Sequence, residues 1–166
     1  MKLLIDTTTK YVTIVTFDDT RILKSIQYEG NNNHTTTIYE HLSKLDFEAI
    51  REIYVTAGPG SYTGVRIGVL VAKTLAQEIN AKLFKINTLN LFYAGFKNDV
   101  LLDARGKKYF KYDGNEYTFV GYDDVTSETI IDGYINPDWL LDSTVITQFE
   151  ECHPLNLEIE YLKEAI

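Results

Sequence analysis

The chain has 166 residues, a formal net charge of −8 and a hydrophobic share of 45%. This length suits one domain or two small lobes with a buried core. No run of about 18 apolar residues occurs, so no membrane span is predicted. Asp6 follows the first apolar residues too early for a secretory leader. The single Cys152 cannot form an internal disulfide or hold zinc by itself. We therefore expect a cytoplasmic protein.

The charge is distributed unevenly along the chain. Residues 1–98 carry a net charge of +2, whereas residues 99–166 carry −10. An acidic half of this kind repels phosphate groups, which argues against independent binding of nucleic acid. We expect the acidic half to form a solvated surface.

The first half of the chain shows strand and helix signals in a definite order. Three short apolar runs joined by turn residues predict an antiparallel meander, and helices then alternate with strands. The predicted elements are strands at 3–5, 12–17 and 22–28, a helix at 34–45, a strand at 53–57, a helix at 64–79, a strand at 82–86 and a short helix capped by Thr88. This order predicts an α/β fold with a mixed sheet and helices on its faces.

The second half is richer in strand signals. The sequence predicts strands at 100–104, 109–112, 117–122 and 130–131, a helical turn at 137–141 and one more strand at Val145–Ile146. Trp139 is expected in the core. We therefore predict two lobes, residues 1–98 and a small β-rich lobe at 99–166.

A glycine-rich loop, Gly58–Gly64, joins a predicted strand to a predicted helix. Ser61 or Thr63 could cap that helix, and a helix N-terminus favours an anion. The spacing fits neither a Walker loop, which needs a lysine after the last glycine, nor the dinucleotide fingerprint. Spacing alone leaves an anion site and a plain tight turn equally open. Asp6 and the three hydroxyl residues beside it, Thr7, Thr8 and Thr9, end the first strand and could hold a metal–phosphate group or form an ordinary turn.

The helix after this loop carries small residues at every fourth position. Small side chains in one row allow another backbone to approach closely, and the apolar arc of this helix is wide enough to be buried on two sides. The row consists of Gly64, Gly68, Ala72 and Ala76.

His34 and His41 lie seven residues apart on the preceding helix. Seven residues of helix span about 10.5 Å, too far for two ligands of one zinc ion, each of which must lie near 2 Å. We predict no metal site there.

Four segments resemble one known family, TsaB (YeaZ), whose members are noncatalytic paralogues of TsaD with an actin-like ATPase (ribonuclease H-like) fold. The long motif is Gly58–Gly68, GPGSYTGVRIG. Shorter matches are Leu3–Thr9, the Asp-Ala-Arg hairpin within Leu102–Tyr109, and Glu160–Lys163. The chain departs from the family pattern at Ile159, where proline is common, and the second lobe is short. The His-x-x-x-His metal motif of TsaD is absent.

The resemblance implies a scaffold rather than an enzyme. Such proteins bind a TsaD-type paralogue as a heterodimer, a TsaE-type ATPase joins them, and tRNA is reached only through the complex. Partner contact would use the two helices as half of a four-helix bundle. The residues mapped to that interface are His34, Ile38, His41, Leu42, Gly64, Gly68, Val69, Ala72, Leu75 and Ala76. The possible anion or nucleotide residues are Asp6, Thr7, Gly58, Gly60, Ser61, Thr63 and Arg66. No cofactor is firmly expected, although ATP or ADP could lie at an interface of the complex.

Two other functions remain open from the sequence. One is a small kinase or ATPase of the same fold that acts alone, using Asp6, Thr7 and the glycine-rich loop for phosphate. The other is a homodimer formed through the same helices. A peptidase is rejected, because no His-Glu-x-x-His motif is present.

Overall fold

The computed structural model describes residues 1–30 and 34–162, with His34 described by its backbone alone. The predicted alternation of elements in the first half is confirmed. Its elements are β1 (Lys2–Asp6), β2 (Tyr11–Phe17), β3 (Ile22–Glu29), α1 (His34–Leu42), β4 (Glu52–Thr56), α2 (Tyr62–Glu78), β5 (Lys82–Ile86) and α3 (Thr88–Phe96).

These strands form a mixed sheet. The strand order is β10-β5-β4-β1-β2-β3, where β10 is Glu150–Cys152. The β1–β2–β3 meander is antiparallel, and β4 and β5 add in parallel to β1. Strands β1 and β4 are buried on both faces, as expected for strands covered on each side. The predicted mixed α/β sheet with flanking helices is therefore confirmed.

A second sheet follows in the chain, with the strand order β8-β7-β6-β9. Its strands are β6 (Val100–Arg105), β7 (Lys108–Tyr112), β8 (Tyr117–Gly121) and β9 (Thr129–Ile130). Side chains of both sheets meet in one apolar cluster, in which Leu4 and Phe17 of the first sheet join Val100 and Leu102 of the second. The opposite face of the first sheet is covered by α1 and α2, through Ile38 and Val65 among others.

Several element boundaries differ from the sequence prediction. Helix α1 ends at Leu42 rather than residue 45, because the chain turns there and Asp46 accepts the Glu48 N–H at 3.1 Å as the cap of the next helical turn. Asn87, not Thr88, caps α3, and it accepts the Leu89 N–H at 2.9 Å.

The predicted strand at Val145–Ile146 is wrong. These residues belong to a short helix, α4 (Ser143–Ile146), because the Asp142 side chain accepts the Thr144 N–H at 2.8 Å and starts a helical turn. The helical turn at Pro137–Leu141 is confirmed as a 3₁₀ helix. Trp139 is half-buried against Phe92 and Phe96 rather than fully in the core.

The division into residues 1–98 and 99–166 stays a prediction. The chain returns to the first sheet after the second one, because β10 pairs with β5 and Leu157 is buried in the cluster beneath α2. Asn31–Asn33, part of a predicted loop, and Lys163 lie outside the described residues. Among the described residues, no helix is both long and apolar enough to cross a membrane.

Candidate partner-binding helices and glycine-rich loop

The glycine-rich loop is held by one internal hydrogen bond and by hydrogen bonds to two other parts of the chain. Ser61 caps α2 as predicted, accepting the Gly64 N–H on its Oγ at 3.3 Å. The Ser61 N–H donates to the carbonyl oxygen of Thr8 at 2.7 Å, and the Thr88 N–H donates to that of Gly58 at 2.8 Å. The loop therefore rests on the β1–β2 turn on one side and on the start of α3 on the other.

Three glycines lie close against the β1–β2 turn, two of them against its backbone and the third against a side chain. A Cβ atom on Gly60 would fall on the Thr8 carbonyl oxygen, and one on Gly64 would fall on that of Thr7. A Cβ on Gly68 would fall on Thr7 Oγ1, which itself donates to the Gly64 carbonyl oxygen at 2.5 Å. The small residues thus let α2 lie directly on the end of β1 and the turn that follows it.

Asp6 is completely buried at the end of β1. Its Oδ1 accepts the Thr8 N–H at 3.1 Å, the Thr8 Oγ1 hydroxyl at 2.7 Å and the Thr56 hydroxyl. Its Oδ2 is buried and has no hydrogen-bond partner among the residues that the structure describes. Burial raises the pKa of Asp6 above its ordinary value, and the hydroxyl and amide donors oppose that shift only in part. Asp6 therefore organises the turn from inside the protein.

A polar cleft of about 540 Å³ opens between the β1–β2 turn and the β6–β7 hairpin. Its lining includes hydroxyl groups from Thr8, Thr9 and Ser61, and one basic residue from each rim, Lys10 and Arg105. Asp103, Asp132, Gly30, Gly60, Leu102 and Ile131 complete the lining. The Thr8 hydroxyl group is buried and donates to Asp6, so an anion in this cleft could contact Thr9, Ser61 and the two basic side chains.

The predicted anion residues are not gathered at one place. Gly60 and Ser61 line the cleft, but Asp6, Thr7 and Gly58 are buried behind it. Thr63 and Arg66 are exposed on α2, where the Arg66 guanidinium lies 3.8 Å from the centre of the Tyr62 ring. Thr8 and Thr9, two of the three hydroxyl residues that the sequence placed beside Asp6, line the cleft, whereas sequence reasoning missed Lys10.

The predicted partner interface needs a larger correction. The row of small residues on α2 is buried against this chain's own sheet and turn, so it is not presented on the outer surface where a partner would bind. Seven predicted interface residues are buried in this way: Ile38, Leu42, Gly64, Gly68, Val69, Ala72 and Ala76. His41 and Leu75 are partly exposed, and the side chain of His34 lies outside the described part. Apolar residues occupy most of the circumference of α2, so the sequence did not indicate which side of the helix meets the sheet.

The outward side of the two helices carries different residues. On α2, Tyr62 is 60% exposed and Leu70 is 64% exposed, at positions eight apart and therefore on one side of the helix. On α1, Tyr39 is 72% exposed. Sequence reasoning missed these three residues as interface candidates, although the spacing places Tyr62 and Leu70 on the side of α2 opposite the small row.

His41 lies beside Tyr28, with 5.6 Å between the ring centres. Within residues 1–30 and 34–162, no group of three histidine, cysteine, aspartate or glutamate side chains could hold a metal ion.

The fold and the site together define a class of protein. A five-strand order β3-β2-β1-β4-β5 with helices on both faces, extended by a second sheet across a cleft, is the actin-like, ribonuclease H-like architecture. A model of the TsaD family, described as tRNA N6-adenosine threonylcarbamoyltransferase, matches residues 32–133. The chain belongs to this family, within its TsaB (YeaZ) group, as its sequence motifs predicted.

Two curated relatives match parts of the chain. The tRNA threonylcarbamoyladenosine biosynthesis protein TsaB of Bacillus subtilis is 35% identical over 82 residues, which cover 46% of this chain and 36% of the relative. An uncharacterized protein of Mycoplasma pneumoniae, the MG208 homolog, is 34% identical over 99 residues, which cover 54% of this chain and 50% of the relative. The chain therefore spans half or less of the length of these relatives.

Solved structures support the fold. An uncharacterized protein with similarity to peptidase YeaZ from Pseudomonas aeruginosa superposes with a TM-score of 0.71 at 16% identity, covering 98% of this chain and 99% of that one. YeaZ from Pseudomonas aeruginosa superposes with a TM-score of 0.54 at 22% identity, covering 72% of this chain and 64% of that one.

Proposed function

We propose that this chain is the noncatalytic partner of a TsaD-type protein. As a heterodimer the two would support transfer of a threonylcarbamoyl group to the adenosine next to the anticodon of tRNA. The name of the Bacillus relative, a protein of tRNA threonylcarbamoyladenosine biosynthesis, and the family match support this proposal.

The exposed apolar side chains of α1 and α2 carry the proposal. Both helices cover the same face of the first sheet and contribute buried residues to the same cluster. Their outward sides nevertheless present Tyr39, Tyr62 and Leu70 to solvent. A second pair of helices that packed on this outer layer would bury such large aromatic and aliphatic side chains. The bundle interface therefore uses the outward side of these helices, and the small-residue row holds α2 on its own sheet.

Size-exclusion chromatography with light scattering tests this interface. The chain is mixed with the TsaD-type protein of the same source, and we expect a stoichiometric heterodimer. Leu70→Glu places a charge at the centre of the exposed side and should weaken binding by about 2 kcal/mol or more, roughly 30-fold, as for a buried interface anchor. Ala72→Glu is unsuitable, because Ala72 is buried within this chain.

Ile130→Glu is the matched control. Ile130 is 50% exposed on β9 of the second sheet, away from both helices. It should bind the partner like the wild type, and circular dichroism should show both variants folded. Equal binding by folded Leu70→Glu would refute the helical interface. A homodimer that persists in the presence of the TsaD-type protein would favour self-association.

The proposal extends to the rest of the complex. A TsaE-type ATPase joins the heterodimer, ATP or ADP lies at an interface, and tRNA binds through the complex. Adding a TsaE-type protein with ATP to the chromatography tests this extension. A ternary peak that requires nucleotide is the expected result.

A second candidate function, nucleotide turnover by this chain alone, is favoured by the polar cleft with Lys10 and Arg105 on its rims. Arg105→Ala is a sharper test than Asp6→Ala, because Asp6 is buried and its loss disturbs the turn. Turnover by the isolated chain that disappears in Arg105→Ala would support this candidate. If neither the wild type nor Arg105→Ala turns over nucleotide faster than a sample without protein, this candidate function is rejected.

A further inference from the structure

The last described segment, Leu157–Leu162, crosses the molecule without regular secondary structure. It begins at Leu157, which is buried in the cluster beneath α2, and it ends at Leu162, which contacts the cluster between the two sheets. Between these anchors it passes over the beginning of the glycine-rich loop. We call residues 157–162 the terminal segment.

The terminal segment touches the loop through its backbone. The Glu160 N–H donates to the carbonyl oxygen of Ala57 at 2.7 Å. The Glu160 carbonyl oxygen lies only 2.6 Å from the position that a Cβ atom on Gly58 would occupy. Gly58 has a φ of +105°, a conformation that side chains disfavour, so both its backbone conformation and its contact with the terminal segment require glycine.

The Glu160 carboxylate joins the loop to the neighbouring elements. Its Oε1 lies 3.3 Å from Lys85 Nζ on β5, and its Oε2 accepts the Asn87 Nδ2–H at 2.9 Å. Asn87 is the cap of α3, and the next residue, Thr88, donates its N–H to Gly58. The Glu160 side chain therefore connects the end of β5 with the start of α3, and the Glu160 backbone N–H binds Ala57 just after β4, where the loop leaves the sheet.

The attachment is local and partly open to solvent. The side chains of Glu160 and Lys85 are both partly exposed, so salt weakens their attraction. A pocket of about 140 Å³ remains between the terminal segment and the start of α2, lined by Pro59, Tyr62, Val65, Phe110 and Ile159 among others. Segments held by few contacts open at lower free energy than the whole fold.

We propose that the terminal segment is a latch on the glycine-rich loop, fastened by Glu160, and that it positions the start of α2 through Gly58, which lies between the Glu160 carbonyl oxygen and Val65. When the latch is closed, Gly58 and the first turn of α2 keep the geometry described above. When it opens, Ala57 loses the hydrogen bond from the Glu160 N–H and Gly58 loses its contact with the Glu160 carbonyl oxygen, so the first turn of α2, which carries Tyr62, becomes free to move. The latch itself rests on these contacts alone. Its effect on a partner rests on the proposed function.

Hydrogen exchange on the intact chain tests the latch. Glu160→Ala should raise the exchange rates of the amides between Gly58 and Val65 roughly three- to tenfold, the loss expected for a partly exposed charged hydrogen bond. Glu160→Gln keeps a hydrogen-bonding side chain and should restore part of the protection. Glu158→Gln is the control, because Glu158 is exposed in the same segment, and it should leave these rates unchanged.

The pattern of exchange separates a latch from a general loss of stability. Amides of β2 and β3, on the far side of the sheet, should keep their wild-type rates in Glu160→Ala. Added sodium chloride should speed exchange of the loop in the wild type and have a smaller effect in Glu160→Ala. Unchanged loop rates, or an equal rise throughout the chain, would overturn the latch.

Binding to the TsaD-type protein tests the coupling. If the wild type binds and the latch positions α2, Glu160→Ala should bind several-fold more weakly while Glu158→Gln binds normally. Equal binding by wild type and Glu160→Ala would overturn the coupling and leave the proposed function intact. No binding by the wild type would overturn the proposed function and the coupling together, while the exchange rates would still decide the latch.

Discussion

Thr7 Oγ1 donates a hydrogen bond of 2.5 Å to the carbonyl oxygen of Gly64. Thr7 Oγ1 also occupies the space where the Cβ atom of a side chain at position 68 would lie. This hydroxyl group therefore contributes to the distance and the rotation of α2 relative to the sheet, together with the Thr7 carbonyl oxygen beside Gly64. The rotation decides which residues of α2 face outward.

Gly68→Ala should therefore destabilise the protein, although alanine favours helices. The new Cβ collides with a hydroxyl group that is already held by a hydrogen bond, and overpacking of this kind costs about 1–3 kcal/mol. Urea unfolding followed by circular dichroism measures the loss. Thr74→Ala, at an exposed position of the same helix, should change stability by less than about 0.5 kcal/mol.

Removal of the obstructing hydroxyl should recover part of that loss. In the double variant Thr7→Ala/Gly68→Ala, the space taken by Oγ1 is open to the new Cβ, so the two effects should not add. A double variant whose loss equals the sum of the single losses would show that Thr7 and Gly68 do not interact as described.

The buried carboxyl group of Asp6 should give stability an unusual dependence on pH. Burial raises its pKa in the folded protein above the ordinary value of 3.8. As pH rises above 3.8, the unfolded chain releases this proton while the folded protein keeps it, so stability falls until pH passes the folded pKa. Asn at position 6 cannot ionise. As pH rises, the urea midpoint of the wild type should therefore fall relative to the midpoint of Asp6→Asn.

Asp18 is the matched comparison, because its pKa moves in the opposite direction. The Thr20 N–H, the Thr20 hydroxyl and the Arg21 N–H hold the pKa of Asp18 at about 2. Its contribution to stability should be present above pH 3.8 and be lost as pH falls towards 2. Asp18→Asn should thus remove a stabilising effect at neutral pH. The same sign of pH dependence in both variants would contradict the environment described for Asp6.

Gly95 and Trp139 give an optical test of the layer formed by α3. A Cβ atom on Gly95 would fall inside the indole ring of Trp139, which packs edge-on against Phe92 and Phe96 with ring centres 5.7 and 5.0 Å apart. Gly95→Ala should displace this ring towards water. Because Trp139 is the single tryptophan of the sequence, the fluorescence emission should shift to longer wavelength. Gln77→Ala, at an exposed position of α2, should leave the spectrum unchanged, and an unshifted spectrum for Gly95→Ala would contradict the contact.

Local sequence signals predicted the order of elements but not their orientation. The meander, the alternation of strands and helices and the Ser61 cap follow from apolar spacing and from turn and cap chemistry. The face of α2 that meets the sheet could not be read from the sequence, because apolar residues occupy most of its circumference. The contact between Thr7 and Gly68 joins residues 61 positions apart, and only the fold brings them together.

The second half was harder to predict for a physical reason. Val145 and Ile146 favour strands by side-chain type, yet the Asp142 cap and the packing of Val145 place them in a helix. Strand β10 escaped prediction because its sequence, Glu-Glu-Cys, lacks a strand signature. Pairing with β5, rather than intrinsic preference, makes it a strand.

Strand β10 also determines how the sheet ends. The backbone of β10 pairs with β5, so β10 becomes the edge strand of the sheet. The exposed side chains of Glu150 and Glu151 bring negative charge to this edge. Charged, very short border strands discourage pairing with strands of other molecules. A fragment that stopped at residue 98 would leave β5 as a border strand, with unpaired backbone groups and with Lys82 and Lys85 as its charges. Residues 150–152 thus cover this border of the first half of the chain, although they are its distant neighbours in sequence.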